Sequence, residues 1–443
     1  MRKGMFIIPF FATAACAVGF LAYSPSAAAA IDGENGPIVY IDNQVPTENE
    51  NSVNPEDRGV ILQEETVSQV ITTGPDGTNE QVAATEDDTI TAAGISPPTA
   101  EGNYDIAYGV ESTTDCAKYE KTCAVVNKVT TDGDGNVVEG QDLLTNLDSL
   151  VNGTKWFPSK SWVNNLSYSP DGETVLATQY SYQIDNPKAA IVAIDNESGT
   201  PTTIVGPSSD VYINAGYADN GTIYYSKTTW FNTDIWYILP GETTSQQLTT
   251  TKNMSEYFLD VSPDNKSVLV ADVTSSLDCL SAYGMLANRE SSSYNHCKFY
   301  LISTVDGSAT PLSELKDEMF IPAYFSPDNS SLIGTVYGQQ NESKSFKKNN
   351  VTPLYTATFN LTTKLFAKVT DRVGIEQWAP LAQATPNPTP ESPAVTVASV
   401  PTVATGAKLA YTGSSIAVYI AVLIVLAVVS SASILVGAKS YKN

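Results

Sequence analysis

The segment Leu-Ser-Tyr-Ser-Pro-Asp-Gly at residues 166–172 ends one apolar stretch with a tight-turn signal and starts another. Proline fixes φ early in a turn, aspartate hydrogen-bonds to its own backbone, and glycine accepts a positive φ. Residues 173–180 then carry alternating or β-branched apolar side chains, as a buried strand requires. The segment therefore predicts a strand, a tight turn and a second strand.

The same design recurs along the chain, which indicates an internal repeat. Its three further copies lie at residues 214–226, 259–272 and 323–337. Additional strands are predicted after the first two copies, at residues 190–195, 202–205, 234–239 and 246–250. Four short strands per unit are typical of a propeller blade.

These repeats resemble those of the TolB-like six-bladed β-propeller, in which a strand runs into Ser-Pro-Asp-Gly, a second strand follows and a third precedes an Asp-Gly turn. Two weaker copies raise the count, one within residues 90–130 and one within residues 36–79. Residues 374–380 look like an opening strand with nothing after it, so we expect them to complete the N-terminal blade. The resemblance implies an all-β, six-bladed β-propeller over residues 31–381, closed by exchange of terminal strands. A pair of β-sandwiches with coincidental turns is the alternative.

The N-terminus has the order of a secretory signal peptide. Arg2 and Lys3 precede a largely apolar run at residues 5–23, and small residues follow at 24–30. The alanines there offer several Ala-x-Ala sites, so we expect residues 1–30 to be removed. Cys16 lies within the apolar run, which favours an inert cysteine over a lipoprotein cleavage site.

The C-terminus predicts a membrane-spanning helix. Residues 416–436 are apolar apart from a few serines and carry no charge, and about 20 residues suffice for a helix to cross a bilayer. Lys439 and Lys442 follow in a short basic tail, residues 437–443. Such lysines stay in the cytoplasm, which leaves the bulk of the chain outside. We therefore expect export and attachment at the cell wall or cell surface through the C-terminus.

A pentapeptide before this helix resembles the cell-wall sorting signal of Gram-positive surface proteins, Leu-Pro-x-Thr-Gly, with alanine in place of proline. The resemblance implies the Leu-Ala-x-Thr-Gly variant and cleavage after the threonine by a sortase, of which this protein is only the substrate. A plain membrane anchor is the alternative. The motif consists of Leu409, Ala410, Tyr411, Thr412 and Gly413.

Residues 382–408 differ from the rest of the chain, because prolines recur there among Thr, Ala, Val and Ser. Proline-rich chain stays extended at about 3.1 Å per residue. This segment is therefore predicted to be a linker that lifts the domain above its anchor.

The mature chain is strongly acidic. Without its four terminal cations, 20 Lys and Arg face 48 Asp and Glu, a balance near −28. This charge disfavours nucleic acid and anionic lipid as partners and favours solubility outside the cell. It is compatible with loosely held divalent cations such as calcium, and no other cofactor is expected.

The cysteines left after export fall into two close pairs. Because an exported chain meets an oxidising environment, local disulfides are expected between Cys116 and Cys123 and between Cys279 and Cys297. A metal site is the alternative, but the spacings match no zinc pattern, and His296 is the single histidine.

Residues 132–136, Asp-Gly-Asp-Gly-Asn, alternate oxygen ligands in the manner of a calcium loop. The EF-hand register fails, because its sixth position is Val137 and its twelfth is Leu143. A hairpin turn is the favoured interpretation, since Asp-Gly signals hairpins strongly.

One face of the ring is predicted to be elaborated. The first turn of each blade is mostly tight, whereas the link between second and third strands is long in nearly every blade. A rigid scaffold usually presents its binding surface on such a face. Aromatic side chains in these links stack on sugars or peptides with little entropy loss, unless they merely cover blade edges. The links are residues 111–122, 181–188, 227–233, 274–296 and 338–353, and the candidates are Tyr182, Trp230, Phe231, Tyr283 and Tyr294.

The sequence carries no recognisable catalytic motif, neither Gly-x-Ser-x-Gly nor His-Glu-x-x-His. We therefore predict a non-catalytic, surface-anchored module that binds or adheres to an extracellular glycan, peptide or protein. The first alternative is a polysaccharide-active glycosidase or lyase with paired carboxylates on the propeller face. The second is a structural envelope protein without a specific ligand.

Overall fold

Strands form where apolar and β-branched residues lie between turn signals, and their burial falls from one strand to the next. β9 (Thr174–Tyr182) is buried along most of its length, whereas β11 (Pro201–Ser208), two strands later, is exposed or half-buried throughout.

The computed structural model describes residues 35–46, 66–114, 116–118, 120–155, 158–183, 186–229, 232–251, 254–272, 298–315, 320–339 and 351–380.

The remaining strands are β1 (Asn35–Pro46), β2 (Thr66–Thr73), β3 (Gln81–Glu86), β4 (Thr89–Ile95), β5 (Tyr104–Ser112), β6 (Glu120–Thr131), β7 (Val137–Leu147), β8 (Ser159–Tyr168), β10 (Lys188–Asp195), β12 (Val211–Tyr217), β13 (Ile223–Thr229), β14 (Asn232–Ile238), β15 (Gln246–Gln247), β16 (Glu256–Val261), β17 (Ser267–Asp272), β18 (Lys298–Ser303), β19 (Ala309–Pro311), β20 (Phe320–Phe325), β21 (Ser331–Gln339), β22 (Val351–Asn360), β23 (Phe366–Thr370) and β24 (Ile375–Pro380).

The strands pair as antiparallel meanders in chain order. Four sheets have four strands each, in the orders β24-β1-β2-β3, β12 to β15, β16 to β19 and β20 to β23. A fifth sheet has eight strands, in which β4 to β7 and β8 to β11 are two such meanders. A short parallel pairing of β6 with β8 joins them. The described chain is therefore an all-β propeller, as predicted.

The C-terminal strand closes the N-terminal sheet. β24 pairs antiparallel with β1, with Ile38 opposite Trp378 and Tyr40 opposite Ile375. The backbone N–H of Ile41 also donates to the carbonyl of Gly374, 3.0 Å away. The predicted role of residues 374–380 as the missing strand of the N-terminal blade is confirmed.

The repeated turns share one hydrogen-bonding pattern. Ser169 Oγ donates to Asp171 Oδ1 over 2.6 Å, and Ser262 and Ser326 make the equivalent bonds over 2.8 Å and 2.5 Å. The residue after each aspartate has a positive φ, 74° at Gly172 and 57° at both Asn265 and Asn329. These turns confirm the prediction made from Ser-Pro-Asp.

The core lies between neighbouring sheets. Leu269 and Phe299 pack in one cluster with Phe320 and Phe359 of the following sheet. A second cluster joins the last sheet to the first, because Ile333 packs with Tyr40, Ile71 and Trp378. Burial between blades therefore stabilises the ring closure as well as the strand pairing.

The strands that open each meander contact one another around a closed circuit. β24 contacts β4, and the contacts continue through β8, β12, β16 and β20 back to β24. We call these six strands the inner strands.

The predicted signal peptide (1–30), linker (382–408), sorting motif (409–413), membrane helix (416–436) and tail (437–443) lie outside the described residues. Within the described part of the chain, no helix has the length and apolar character needed to cross a bilayer.

Candidate functional site

Each inner strand is interrupted by a β-bulge, where one residue is left out of the ladder to the next strand. In β16, Phe258 pairs with Val270 and Asp260 pairs with Leu269, so Leu259 is the extra residue. Bulges re-aim side chains, and all six extra residues line one cavity. They are Thr91, Asn164, Asn214, Leu259, Ala323 and Glu376.

This wide cavity has a volume of about 720 Å³. Its lining includes Glu111 near the end of β5, Tyr180 near the end of β9 and Pro353 near the start of β22. These strand ends flank links between second and third strands. The wide cavity therefore lies toward the face for which a binding surface is predicted.

Aromatic rings form part of the wall of the wide cavity. Trp162 stacks on Tyr180 with ring centroids 5.8 Å apart and an angle of 12° between the planes. The hydroxyl of Tyr180 donates a hydrogen bond to the backbone carbonyl of Tyr212, and this bond holds the stacked ring of Tyr180 in place. Tyr324 and Tyr337 also line the cavity. Flat, anchored rings are suited to stacking against a ligand.

Amide side chains connect neighbouring inner strands. Asn164 Nδ2 donates to Asn214 Oδ1 over 2.9 Å, and Asn214 Nδ2 donates to the carbonyl of Phe258 over 3.4 Å. Between β24 and β4, Gln377 Oε1 accepts a hydrogen bond from the backbone N–H of Ile95, 2.8 Å away. These bonds hold the bulged residues in place, so the cavity wall is preorganised.

Glu376 is the acidic bulge residue of the wide cavity. Burial raises the pKa of its carboxyl to about 8, and a hydrogen bond from the backbone N–H of Ala93 lowers it only in part. Desolvation disfavours the charged form of a carboxyl. Glu376 is therefore largely protonated at neutral pH while the cavity holds no cation.

A narrower cavity, of about 120 Å³, lies at the end of the channel that carries the Ser-Pro-Asp turns. Asp219 and Asp260 line it. Burial raises the pKa of Asp260 to about 7, although the backbone N–H of Phe325 donates to it over 2.8 Å. Burial likewise raises the pKa of Asp219 to about 6. The two cavities therefore each contain a carboxyl whose pKa is raised by burial.

Tyr324 lines both cavities. Burial raises the pKa of its hydroxyl well above the ordinary value, and the negative charges of Glu376 and Asp260 raise it further. Tyr324 is therefore a neutral hydroxyl between the two acidic ends.

One predicted ligand-face residue lies among the described residues. Tyr182 ends β9 and is 44% exposed. The remaining candidates, Trp230, Phe231, Tyr283 and Tyr294, lie outside the described residues.

The prediction of a long link at residues 227–233 is wrong. Strand pairing continues from Lys227 opposite Asp234 to Thr229 opposite Asn232. The polar residues there are part of two strands, because each pairs across the hairpin even though it contributes little apolar surface.

Cys116 and Cys123 are joined in a disulfide, and Cys279 and Cys297 lie outside the described residues. Glu120 lies beside the disulfide, and these three residues form the one cluster in the described chain with metal-site spacing. A disulfide offers no thiolate, so the cluster does not provide the ligands of a zinc site.

Asp132 accepts hydrogen bonds from the N–H groups of Asp134 and Asn136, as the predicted hairpin turn between β6 and β7 requires.

The residues of the wide cavity were not among the predicted candidates. Asn164 and Asn165 directly precede the strand predicted from residue 166, and Glu376 and Gln377 lie within the opening strand predicted at residues 374–380. Two successive polar residues break the alternation of a strand, and this break is the signal that could have revealed the bulges.

No family model matches the sequence, and no curated protein sequence is similar to it. Among solved structures, TolB from Acinetobacter baumannii has 14% identity and a TM-score of 0.48, over 78% of this chain and 66% of that chain. A putative TolB from Agrobacterium tumefaciens has 12% identity and a TM-score of 0.44, over 78% and 92%. A nidogen/laminin complex has 8% identity and a TM-score of 0.46, over 78% and 98%. These likenesses concern the fold alone, and the strand topology itself identifies the propeller.

Proposed function

We propose that this protein is a non-catalytic binding module displayed at the cell surface, and that its ligand enters the wide cavity of the central channel. The observation that supports this proposal is the β-bulge repeated in the inner strands. Six inner strands each place an extra residue in one cavity of about 720 Å³, and a cavity with aromatic walls and few convergent polar groups is the usual form of a ligand site.

We further infer that the ring has six blades. The eight-stranded sheet contains two four-stranded meanders, and the inner strands contact each other in a circuit of six. The parallel pairing of β6 with β8 is short, so we treat the two meanders as separate blades.

Surface display is supported by the order of charged, apolar and small residues at both ends of the sequence. In this proposal a sortase transfers the chain to the envelope at Thr412, and the linker at residues 382–408 carries the propeller outward. Mass spectrometry of wall-released protein tests the processing: a C-terminus at Thr412 supports it, and a fragment that retains residues 416–436 indicates a membrane anchor instead.

A second candidate function is cleavage of a polysaccharide, because Glu376 is held protonated near neutral pH, as a general acid must be. Glu111 lines the same cavity and supplies a second carboxyl. Incubation of the purified protein with polysaccharides, followed by an assay for new reducing ends, separates the two functions.

The binding proposal is tested by screening the purified full-length protein against arrays of glycans and peptides. Binding of a defined ligand class supports the proposal, whereas a complete absence of binding favours a structural envelope protein.

A further inference from the structure

The hydrogen-bond donors of the wide cavity are largely used within the protein. Besides the bonds from Asn164 and Asn214, Asn43 Nδ2 donates to the carbonyl of Ile90 over 3.0 Å. Three asparagine side chains of the lining are therefore held in place by hydrogen bonds within the protein.

The charges of the cavity have one sign. In the part of its lining that the structure describes, Glu111 and Glu376 are acidic and no Lys, Arg or His is present. Glu111 pairs at 3.9 Å with Lys160. Within the described chain Glu376 has no cationic partner within ion-pair distance; its hydrogen bond comes from the backbone of Ala93. Glu376 is thus the position where an incoming positive charge gains most.

The lining of the wide cavity favours an organic cation over a metal ion. Calcium takes six or more oxygen ligands, and the described residues bring no third acidic ligand to the channel in a metal-site cluster. The rings of Trp162, Tyr180 and Tyr324 instead line the cavity with Leu259 and Ile321. Aromatic faces attract ammonium groups, and aliphatic side chains accommodate an alkyl chain.

We propose that the wide cavity binds a primary alkylammonium group, whose charge pairs with the carboxylate of Glu376. This inference rests on the proposed role of the wide cavity as the ligand site. The same group occurs on free diamines and on the lysine side chains of peptides, and the test below distinguishes these two sources.

Binding is coupled to a proton. Because Glu376 has a pKa of about 8 without ligand, it releases a proton when the ammonium group binds at neutral pH. Affinity therefore rises up to about tenfold per pH unit between about pH 6 and pH 8. It falls again above about pH 10, where an alkylamine loses its own proton.

Other titratable groups face the same space. Glu111, Tyr180 and Tyr337 line the wide cavity, and the charge of Asp260 raises the pKa of Tyr324, which lines it as well. Tyr180 and Tyr324 stay neutral over this pH range, since burial raises the pKa of each hydroxyl well above the ordinary value. Asp260, with a pKa of about 7, lines the narrower cavity.

The first experiment is calorimetric titration of the purified full-length protein with cadaverine and with the diol of the same chain length. We expect the diamine to bind at least tenfold more tightly than the diol. Glu376→Gln should weaken diamine binding at least tenfold, whereas Glu197→Gln, a matched change at an exposed site far along the chain, should leave it within twofold.

Proton release gives an independent readout. At neutral pH the binding enthalpy of the wild type should depend on the ionisation enthalpy of the buffer, and this dependence should vanish in Glu376→Gln. Equal binding of the diamine by wild type and Glu376→Gln, or binding without proton release in the wild type, would overturn the inference.

A tripeptide with a central lysine, compared with one with a central glutamine, separates the sources. Tighter binding of the lysyl peptide than of cadaverine supports a peptide ligand, and the reverse supports a free amine. Suppose that no amine binds, but that a ligand found by array screening loses affinity when the wide cavity is filled by Ala323→Trp. The ammonium inference then fails and the proposed function stands. If the affinity for that ligand is also unchanged in Ala323→Trp, both the ammonium inference and the proposed function fail.

Discussion

The indole Nε1 of Trp378 donates a buried hydrogen bond to the backbone carbonyl of Gly36, 3.0 Å away. These two residues are 342 positions apart in the chain. The bond therefore joins the C-terminal strand of the ring to the N-terminal strand, alongside the β1 and β24 ladder. It fixes one of the inner strands that carry a bulge.

Trp378→Phe should destabilise the closed ring, because it removes the donor and leaves the carbonyl of Gly36 buried without it. We expect a loss of about 1 to 3 kcal/mol in the free energy of unfolding, measured by urea denaturation. Tyr182→Phe, which changes an exposed side chain, serves as the control and should stay within about 0.5 kcal/mol of wild type. Equal effects of the two substitutions would show that the closure contributes little.

Arg372 forms a second closure contact just before β24. Its Nε donates to Glu80 over 2.9 Å, and its Nη1 donates to Asp42 over 2.8 Å. Arg372→Lys keeps the charge but loses the planar fork, so we expect a loss of about 1 kcal/mol in urea denaturation. Lys266→Gln breaks the exposed pair with Asp264 and should cost less than about 0.5 kcal/mol. A reversed order of the two variants would contradict this account.

The disulfide between Cys116 and Cys123 closes a link on the face of the wide cavity. Its sequence separation is 7, and loop-closure entropy predicts a stabilisation of about 2 to 3 kcal/mol for a loop of that size. The double variant Cys116→Ser with Cys123→Ser should therefore unfold at a lower urea concentration. Addition of a reductant to the wild type should reproduce the shift, and a variant as stable as the oxidised protein would count against the contribution.

Stability should fall as pH rises through the range in which Glu376 keeps its proton only in the folded state. The pKa of Glu376 is about 8 in the fold and 4.5 ordinarily, so the unfolded chain binds fewer protons in between. Each pH unit in that window removes up to about 1.4 kcal/mol. Asp260, with a pKa of about 7, acts with the same sign. Glu376→Gln should flatten the profile and exceed the wild type in stability near pH 8. Parallel profiles for both proteins between pH 5 and pH 8 would refute the assignment.

The sequence predicted the ring better than the site. The Ser-Pro-Asp turns are local signals, so residues 166–172 and their copies located strand pairs correctly, and residues 374–380 were recognised as a strand without a partner. β7 was not among the predicted strands, since its first seven residues are all exposed. The link at 227–233 was misassigned for a similar reason. Pairing between strands, rather than apolar pattern, orders both segments.

The site itself depends on register, which no local pattern encodes. Asn164 and Glu376 line the wide cavity because a bulge leaves each of them out of the ladder to the next strand. That arrangement depends on which residue pairs with which across two strands. The predicted aromatic candidates came from link positions, whereas the wide cavity is built from the inner strands themselves.

Filling the wide cavity with a large side chain shows whether the ligand binds there. Ala323 is the smallest of the bulge residues, and Ala323→Trp would place an indole where the ligand is proposed to enter. Leu354→Trp adds an indole at a side chain that is 48% exposed and is not part of the lining. Wild type and both variants would be compared in binding to the ligand class found by array screening. We predict that Ala323→Trp loses binding by at least tenfold while it remains folded by circular dichroism, and that Leu354→Trp binds as the wild type does. Equal binding by all three proteins would contradict the account.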